Sequence, residues 1–470
     1  MKKILLYTLL LFTTIIFSQD IKLVKGGITE NVLVDGSMDE KFALYIPSNF
    51  SLNTAWPVIF VTDMKGKAKS SISMLANAAE KEGYILASSY SLNDTLSLSE
   101  NVLIANRMLN AVVAALPIMN NSTYTAGFGS GAKFASILPT FIKEIKGVIS
   151  VGATVGNIDI LNLKQKFQII GLVNRADYNF PEMLEERKVL DKLKFPNQLF
   201  VYDGQQLLPD GNTLAMAMRL FTLSSMAKNH ITKDSSLIDN TYNDLLIKAN
   251  TLLNNERPIL ATYLISDIER IFAPLIPMDS LKTTKKLLKR SSSYKKAIRS
   301  QNNIILKEAF AKGDYGYYLE EDILTYNYAN LGWWNYQMKE LDKLDESTQL
   351  FERQSASRLR GYINALIADN IDYVASAEKV DVEALNLLYM IKTITAPKEY
   401  DSYLKIISIS AGMEDFGTAL FYLEELLKNG YTDKTELYAL ENSALLRITP
   451  EFNELIEKYL NEARYDIIPQ

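Results

Sequence analysis

The feature that most constrains the fold of this chain is a glycine-dense turn between a strand-forming run and a helix-forming run. Residues 123–136 read TYTAGFGSGAKFAS, and glycine occupies the alternate positions 127, 129 and 131. Two backbone segments approach closely only where side chains are small, and glycine adopts strained turn conformations at little cost. The pattern therefore predicts a strand that ends in a tight turn and passes directly into a helix.

The N-terminal segment has the pattern of an export signal. The chain begins Met-Lys-Lys, continues with an apolar run at residues 4–17, and then reaches Ser18. A positive start, a short apolar core and a small polar end are typical of a secretory signal peptide. A membrane anchor needs about 20 apolar residues, which is more than this run provides. We therefore expect a cleaved signal peptide at residues 1–18, a periplasmic or secreted protein, and no transmembrane segment in the mature chain.

Composition excludes several kinds of chemistry. The net charge of −5 gives no general attraction to nucleic acid. Because the chain has no cysteine, it has no disulfide, no thiolate metal site and no thiol nucleophile. The single histidine, His230, excludes multi-histidine metal sites and leaves few routes to general base catalysis. We expect neither a metal nor a cofactor.

The first half of the chain alternates strand-forming and helix-forming stretches. Helix-forming stretches such as 70–83 and 101–116 separate short runs rich in β-branched and aromatic residues. This alternation favours an α/β fold with a mostly parallel sheet that is covered by helices on both faces. The strand-forming runs are residues 42–46, 58–62, 84–87, 124–126, 147–151, 167–171 and 198–202.

In their order and spacing, four stretches resemble secreted α/β-hydrolases of the polyhydroxybutyrate depolymerase and feruloyl esterase type. The turn at residues 127–133, GFGSGAK, is similar to the G-F-S-G-G-A-R elbow of that family, whose central serine is the nucleophile. The resemblance covers about residues 38–228 and implies an α/β-hydrolase-like fold. The other three stretches are residues 42–47 with 56–61, residues 78–85, and residues 171–180.

The resemblance assigns each catalytic position to one residue of this chain. The nucleophile position falls on Gly129, the acid position on Asp177 and the histidine position on Gln206. Glycine has no side chain, and glutamine cannot take up a proton near neutral pH. Asp177 is either the retained acid or a loop aspartate that binds its own backbone. Ser130 follows the nucleophile position, and the backbone N–H of the residue there contributes to the oxyanion hole in the family. The other half of that hole would lie near residues 63–67.

His230 is poorly placed to replace the missing base. A helix from about residue 212 to 228 would be about 25 Å long. His230 would then lie at the opposite end of that helix from Gln206, so we interpret it as a surface or helix-terminal residue. Two of the three triad positions are therefore empty, and the resemblance implies a degenerate site in a pseudo-hydrolase.

After His230 the strand pattern ends and helical patterns follow. Helices are predicted at residues 235–253, 258–271 and 280–312, with a break near 291–293. Farther on, the residues around Trp334 and the stretch 411–431 resemble degenerate tetratricopeptide repeats. We therefore predict an α/β-hydrolase-like domain at 38–228, a helical linker region at 229–313 and an all-α, tetratricopeptide-like helical-hairpin domain at 314–470. By analogy with such arrays, the last region is expected to bind a protein or peptide partner.

Two functional hypotheses from different classes follow. The first is an exported, catalytically inactive binding or scaffold protein that combines a pseudo-hydrolase with a helical interaction region. The second is a secreted carboxylic-ester hydrolase with a remodelled site that uses Ser130, Asp177 and an unidentified base. Glycine at position 129 and glutamine at position 206 favour the first.

Overall fold

A computed structural model describes residues 23–34, 39–204 and 206–465. The predicted signal peptide, residues 1–18, lies outside the described residues and stays a prediction. None of the helices in the described ranges is both long enough and apolar enough to cross a membrane.

The described chain forms two compact units. The first unit comprises the residues up to Asn174 and Glu182–Lys286, and the second comprises Arg175–Pro181 and the residues from Leu287 onward. The segment Arg175–Pro181, which ends with the first two residues of the helix Phe180–Lys192, thus belongs to the second unit. The predicted domain ranges 38–228, 229–313 and 314–470 do not coincide with these units and remain a prediction.

The first unit is built around one eight-stranded sheet. The strands lie in the order β1-β2-β4-β3-β5-β6-β7-β8. β2 runs antiparallel to β1 and to β4, and every other neighbouring pair is parallel. This is the order of an α/β-hydrolase sheet, as the sequence predicts. The strands are β1 Gly27–Leu33, β2 Lys41–Ile46, β3 Trp56–Thr62, β4 Ile85–Ser89, β5 Ile118–Phe128, β6 Ile145–Val151, β7 Gln168–Asn174 and β8 Asn197–Tyr202.

Helices flank this sheet and bury its apolar side chains. Residues of β3 and β7 are buried almost without interruption, as expected for parallel strands covered on both faces. The predicted helices at 235–253 and 258–271 are confirmed to within one residue. The helices are α1 Ala68–Glu82, α2 Leu98–Ala115, α3 Ser130–Phe141, α4 Phe180–Lys192, α5 Gly211–Ala227, α6 Ser235–Asn254, α7 Pro258–Phe272 and α8 Asp279–Arg290.

Strand β1 is absent from the sequence prediction, which begins the domain at residue 38. Its register with β2 shifts between Thr29 and Val32, and Asn31 in the bulge has a φ of 55°. The bulge interrupts the alternation of buried and exposed residues that identifies a strand from sequence. Strand β1 can therefore be identified only from its pairing with β2 in the structure.

The second unit is helical, apart from the short segment Arg175–Pro181. The predicted break near 291–293 is confirmed, because Ser291 caps the long helix α9 by accepting a hydrogen bond from the backbone N–H of Tyr294. The predicted end of that helix at Lys312 is wrong, since the helix continues until Tyr326 adopts a left-handed conformation. The helices are α9 Ser292–Thr325, α10 Leu331–Asp345, α11 Leu350–Ala375, α12 Val382–Thr395, α13 Tyr400–Gly412, α14 Phe416–Lys428, α15 Lys434–Ala439, α16 Ala444–Arg447 and α17 Pro450–Leu460.

Candidate functional site

The glycine-dense turn forms the sharp elbow that the sequence predicts. Strand β5 ends at Phe128, Gly129 follows with φ 52° and ψ −120°, and helix α3 begins at Ser130. The backbone N–H of Gly129 donates to the carbonyl of Val151 at 3.1 Å, and its carbonyl accepts from the N–H of Lys133. The elbow is therefore anchored to β6 on one side and to the first turn of α3 on the other.

The two outer glycines are required by close backbone approach. A Cβ atom on Gly131 would lie under 3.0 Å from the carbonyl oxygen of Thr62, and one on Gly127 would lie under 3.0 Å from the backbone of Gly131. The buried hydroxyl of Thr62 strengthens this contact, since it donates to the carbonyls of Gly131 at 2.7 Å and Ala126 at 3.2 Å. Strand β3, strand β5 and helix α3 thus meet at distances that only glycine permits.

The central position of the elbow has room for a side chain but carries none. Gly129 is exposed, and a Cβ atom placed on it would meet no heavy atom within 4 Å. Ser130 is also exposed, but it occupies the first helical position and not the strained position that an elbow uses to present its nucleophile. The backbone of a nucleophile elbow is therefore present without the nucleophile.

The resemblance predicts that the loop after β3, near residues 63–67, supplies the second oxyanion donor. In the structure, the carboxylate of Asp63 accepts hydrogen bonds from the N–H groups of Lys65 at 2.8 Å and Lys67 at 3.3 Å. The carbonyl of Asp63 accepts from Gly66 at 3.4 Å. These three N–H groups are consequently used within the turn, and an oxyanion could bind them only after the turn had opened.

Asp177 lies in the segment Arg175–Pro181, which belongs to the helical second unit. Its carboxylate accepts a hydrogen bond from the N–H of Asn179 at 2.8 Å, and its carbonyl accepts from Phe180 at 3.0 Å. These contacts are those of an aspartate that begins a turn ahead of a helix. Gly129 and Gln206, which the resemblance assigns to the other two triad positions, belong to the first unit.

Buried arginines hold the segment Arg175–Pro181 within the second unit. Arg358 of α11 binds Glu308 of α9 through two hydrogen bonds, one of them at 2.8 Å, and donates a third to the carbonyl of Arg175. Arg175 donates to Gln301 at 2.5 Å, and its guanidinium lies 4.7 Å from the centre of the Phe351 ring. Both arginines are 2% exposed. No local sequence pattern connects the members of this network, so only the tertiary structure shows it.

Gln206 is held through its backbone. The buried amide of Asn174, the last residue of β7, donates to the carbonyl of Gln206 at 2.8 Å and to that of Gly204 at 3.1 Å. The residue itself is exposed and lines a cavity beside β8, a cavity that Gly129 does not line. The position expected for the catalytic histidine therefore has a defined backbone but no titratable group.

His230 lies beyond the end of α5 and is exposed. Its backbone N–H donates to the carbonyl of Ser225 at 2.9 Å, which closes the helix terminus. This location agrees with the interpretation of His230 as a helix-terminal residue.

Two carboxyl groups of the first unit, those of the half-buried Glu186 and the fully buried Asp267, have raised pKa values, and both have structural partners. Burial raises the pKa of Glu186 to about 7, although its carboxylate accepts the N–H of Val155 at 2.7 Å. Burial also raises the pKa of Asp267 to about 6, against the opposing effect of Arg187, which binds it at 2.7 Å. Within the described ranges, no three His, Cys, Asp or Glu side chains are grouped so that they could hold a metal ion.

No family model and no curated protein matches the chain. Among solved structures, an esterase from Pyrobaculum calidifontis is similar at 11% identity and a TM-score of 0.36, over 43% of this chain and 86% of that one. Est1E from Butyrivibrio proteoclasticus is similar at 11% identity and a TM-score of 0.33, over 43% and 99%. Esterase B from Lactobacillus rhamnosis is similar at 12% identity and a TM-score of 0.35, over 44% and 89%.

With identities and TM-scores this low, the assignment of the fold rests on the strand order. That order, with its two antiparallel pairings at one edge and its elbow after β5, makes the first unit an α/β-hydrolase-like fold. The helical region has no matching family model, so its resemblance to tetratricopeptide repeats has no support beyond the helical hairpins themselves.

Proposed function

We propose that this protein is an exported binding or scaffold protein whose α/β-hydrolase-like unit has lost catalysis. The observation that carries this proposal is the elbow at Gly129, which keeps the backbone conformation of a nucleophile elbow and has no side chain to present. The flanking close contacts of Gly127 and Gly131 support the same interpretation, since the turn persists without the group that it serves to position.

The chemistry of acyl transfer leaves few substitutes for the missing groups. The reaction needs an oxygen nucleophile, a base that takes its proton, and donors for the developing oxyanion. At the base position, Gln206 cannot be protonated near neutral pH. In the oxyanion loop, the carboxylate and carbonyl of Asp63 already bind three N–H groups. A site that lacks its nucleophile and base retains only modest rate enhancement.

We further propose that the helical second unit binds a protein partner, with α9 as the main surface. Leu306, Phe310, Tyr317 and Leu324 are each 57–69% exposed. At about 100° per residue, these four positions lie within about 40° of one another around the helix. The buried residues of α9, which include Glu308 and Tyr315, lie on its opposite side. Exposed apolar stripes of this kind are characteristic of interaction sites.

Export is the third part of the proposal and rests on residues 1–18. N-terminal sequencing of the exported protein should find a mature chain that begins near Gln19. An intact Met1 in the membrane fraction would contradict cleavage.

We expect the purified wild-type protein to hydrolyse short activated esters, such as p-nitrophenyl acetate, no faster than the residual level that oxyanion binding alone allows. Ser130→Ala should leave this level unchanged. The double substitution Gly129→Ser and Gln206→His provides the positive comparison, because a serine side chain has free space at position 129, at the cost of a strained φ.

Robust turnover by the wild type that Ser130→Ala abolishes would contradict the inactive assignment. That result would establish the second hypothesis, a secreted carboxylic-ester hydrolase with a remodelled site that uses Ser130. Covalent labelling of Ser130 by an acyl-serine probe would support the same hypothesis.

We expect Phe310→Gln combined with Tyr317→Gln to abolish partner capture by the full chain, because the pair removes the centre of the exposed stripe on α9. Tyr373→Gln is a matched control, since Tyr373 is a more exposed aromatic residue on a different helix, α11. Co-purification followed by mass spectrometry measures the effect. Equal recovery of partners by the double variant and the wild type would exclude the α9 stripe as the binding surface.

A further inference from the structure

Helix α9 carries a regular repeat along its exposed side. From Lys296 to Leu324, nine exposed residues follow one another at spacings that alternate between three and four. This spacing places seven residues in every two turns and keeps one stripe of a helix facing a second helix. The buried residues Glu308 and Tyr315 lie on the opposite side of α9. We call this set of nine exposed residues the α9 seam.

The middle of the seam is apolar or small. The exposed fractions of Leu306, Phe310 and Tyr317 are 57%, 69% and 60%. Gly313 lies between Phe310 and Tyr317, and a Cβ atom on it would meet nothing within 4 Å. This gap leaves room for a large side chain of a facing helix. An exposed apolar stripe of this kind is stabilised when a partner covers it.

The two ends of the seam carry opposite charges. Lys296 and Arg299 lie toward its N-terminal end, and Glu320 lies toward its C-terminal end. The exposed residues beside the seam have the same order, with lysine in the first half and carboxylates in the second. None of these side chains forms an ion pair with a described residue. The flanking residues are Lys295 and Lys307 in the first half, and Asp314 and Glu321 in the second.

The remaining charged residues of α9 do not alter this separation. Glu308, Lys312 and Asp322 lie on the opposite side of the helix and bind partners within the second unit. A uniformly charged partner, such as nucleic acid or an anionic membrane, would attract one half of the seam and repel the other. The seam instead fits a helix with the opposite order of charges.

A second copy of this helix offers that order of charges when it runs antiparallel. Two helices that overlap along their full length, Ser292–Thr325, are related by a two-fold axis level with Glu308. Each contact across the axis then occurs twice. A guanidinium group is attracted to the face of an aromatic ring, and an ammonium group is attracted to a carboxylate. The facing pairs are Leu306 with Phe310, Arg299 with Tyr317, and Lys296 with Glu320.

The parallel orientation is unfavourable for the same residues. In a parallel pair in register, Lys296 would face Lys296 and Glu320 would face Glu320, so that like charges repel at both ends. We propose that two copies of this chain pair through the α9 seam in the antiparallel orientation. This inference rests on the proposed role of α9 as a binding surface and identifies the partner as a second copy of the chain.

Sedimentation equilibrium of the full chain tests the pairing. The wild type should be a dimer at about 50 μM. Phe310→Gln combined with Tyr317→Gln should be a monomer at the same concentration, because the apolar centre of the seam is lost. Tyr373→Gln changes an exposed aromatic residue of α11 and should remain dimeric.

Charge reversal tests which residues face one another. Glu320→Lys should weaken association about tenfold or more, because it places like charges opposite each other at both ends of the dimer. Adding Lys296→Glu should restore association, since the facing pair is again of opposite sign. Glu454→Lys makes the same change of charge at an exposed position of α17 and should associate as the wild type does.

Introduced cysteines report the orientation directly, because the chain has none of its own. An oxidised equimolar mixture of the Lys296→Cys and Glu320→Cys variants should give a disulfide-linked dimer that contains one chain of each. Neither variant alone should cross-link, since equivalent positions in an antiparallel pair are about 36 Å apart along the helix at about 1.5 Å per residue. Intact mass measurement distinguishes the products.

The inference is overturned if the wild type is monomeric at about 50 μM, if the Phe310 and Tyr317 double variant stays dimeric, or if either cysteine variant cross-links alone. Its failure is distinct from failure of the proposed partner binding. A monomeric chain that captures a different protein, and loses it in the same double variant, would retain α9 as a binding surface and exclude the second copy as its partner.

Discussion

Gly131→Ala should destabilise the first unit strongly, by about 3 kcal/mol or more, as expected for a substitution that forces packed backbone apart. The added Cβ would lie under 3.0 Å from the carbonyl oxygen of Thr62, which is backbone and cannot move aside as a flexible side chain can. To relieve this clash, helix α3 would have to shift away from β3, and the shift would weaken the hydrogen bonds from the Thr62 hydroxyl. Chemical denaturation measures the change in the free energy of unfolding.

Gly313→Ala is the matched control for this loss. Gly313 lies exposed within helix α9, and a Cβ atom there would meet nothing within 4 Å. Alanine is favoured over glycine in a helix by about 1 kcal/mol, so this variant should be slightly more stable than the wild type. A near-neutral effect of Gly131→Ala would mean that strand β3 and helix α3 approach less closely at the elbow than the structure shows.

Arg358→Met should cost the second unit about 3–5 kcal/mol of stability, because it leaves a buried carboxylate without its partner. Arg358 and Glu308 have side chains that are 3% and 2% exposed, and Arg358 also binds the carbonyl of Arg175. Removing both charges with Arg358→Met and Glu308→Leu should recover part of the loss, since a hydrophobic pair carries no desolvation penalty. The free energies of unfolding of the single and double variants form the test.

Arg360→Met controls for loss of an arginine from the same helix. Arg360 binds Asp342 and Asp345, and all three side chains are between 28% and 65% exposed. Exposed ion pairs of this kind contribute about 0–1 kcal/mol. If the Arg358 and Arg360 variants lose equal stability, the buried pair is not the main attachment of the segment Arg175–Pro181.

The sequence predicts much of the fold because its local patterns are strong. Glycines at 127, 129 and 131 indicate the elbow, and apolar runs bounded by turns indicate strands β2 to β8 in the correct order. The helices at 235–253 and 258–271 and the hairpin at 411–431 follow from periodicity and caps. The prediction that position 129 lacks a nucleophile requires only the identity of the residue there, which is glycine.

Only the tertiary structure shows where the remaining parts belong. By sequence, the segment Arg175–Pro181 follows β7 as a catalytic loop would, yet it belongs to the helical unit, where Arg358 binds it from 183 residues away. The exposure of the α9 seam likewise depends on long-range contacts, since Arg358 binds Glu308 on the opposite side of that helix. Hydrophobic periodicity indicates which face of a helix or strand is buried. It does not indicate which distant residue packs against that face. Local residue patterns therefore determined the elements and the empty elbow, whereas long-range contacts decided the environment of Asp177 and which side of α9 is exposed.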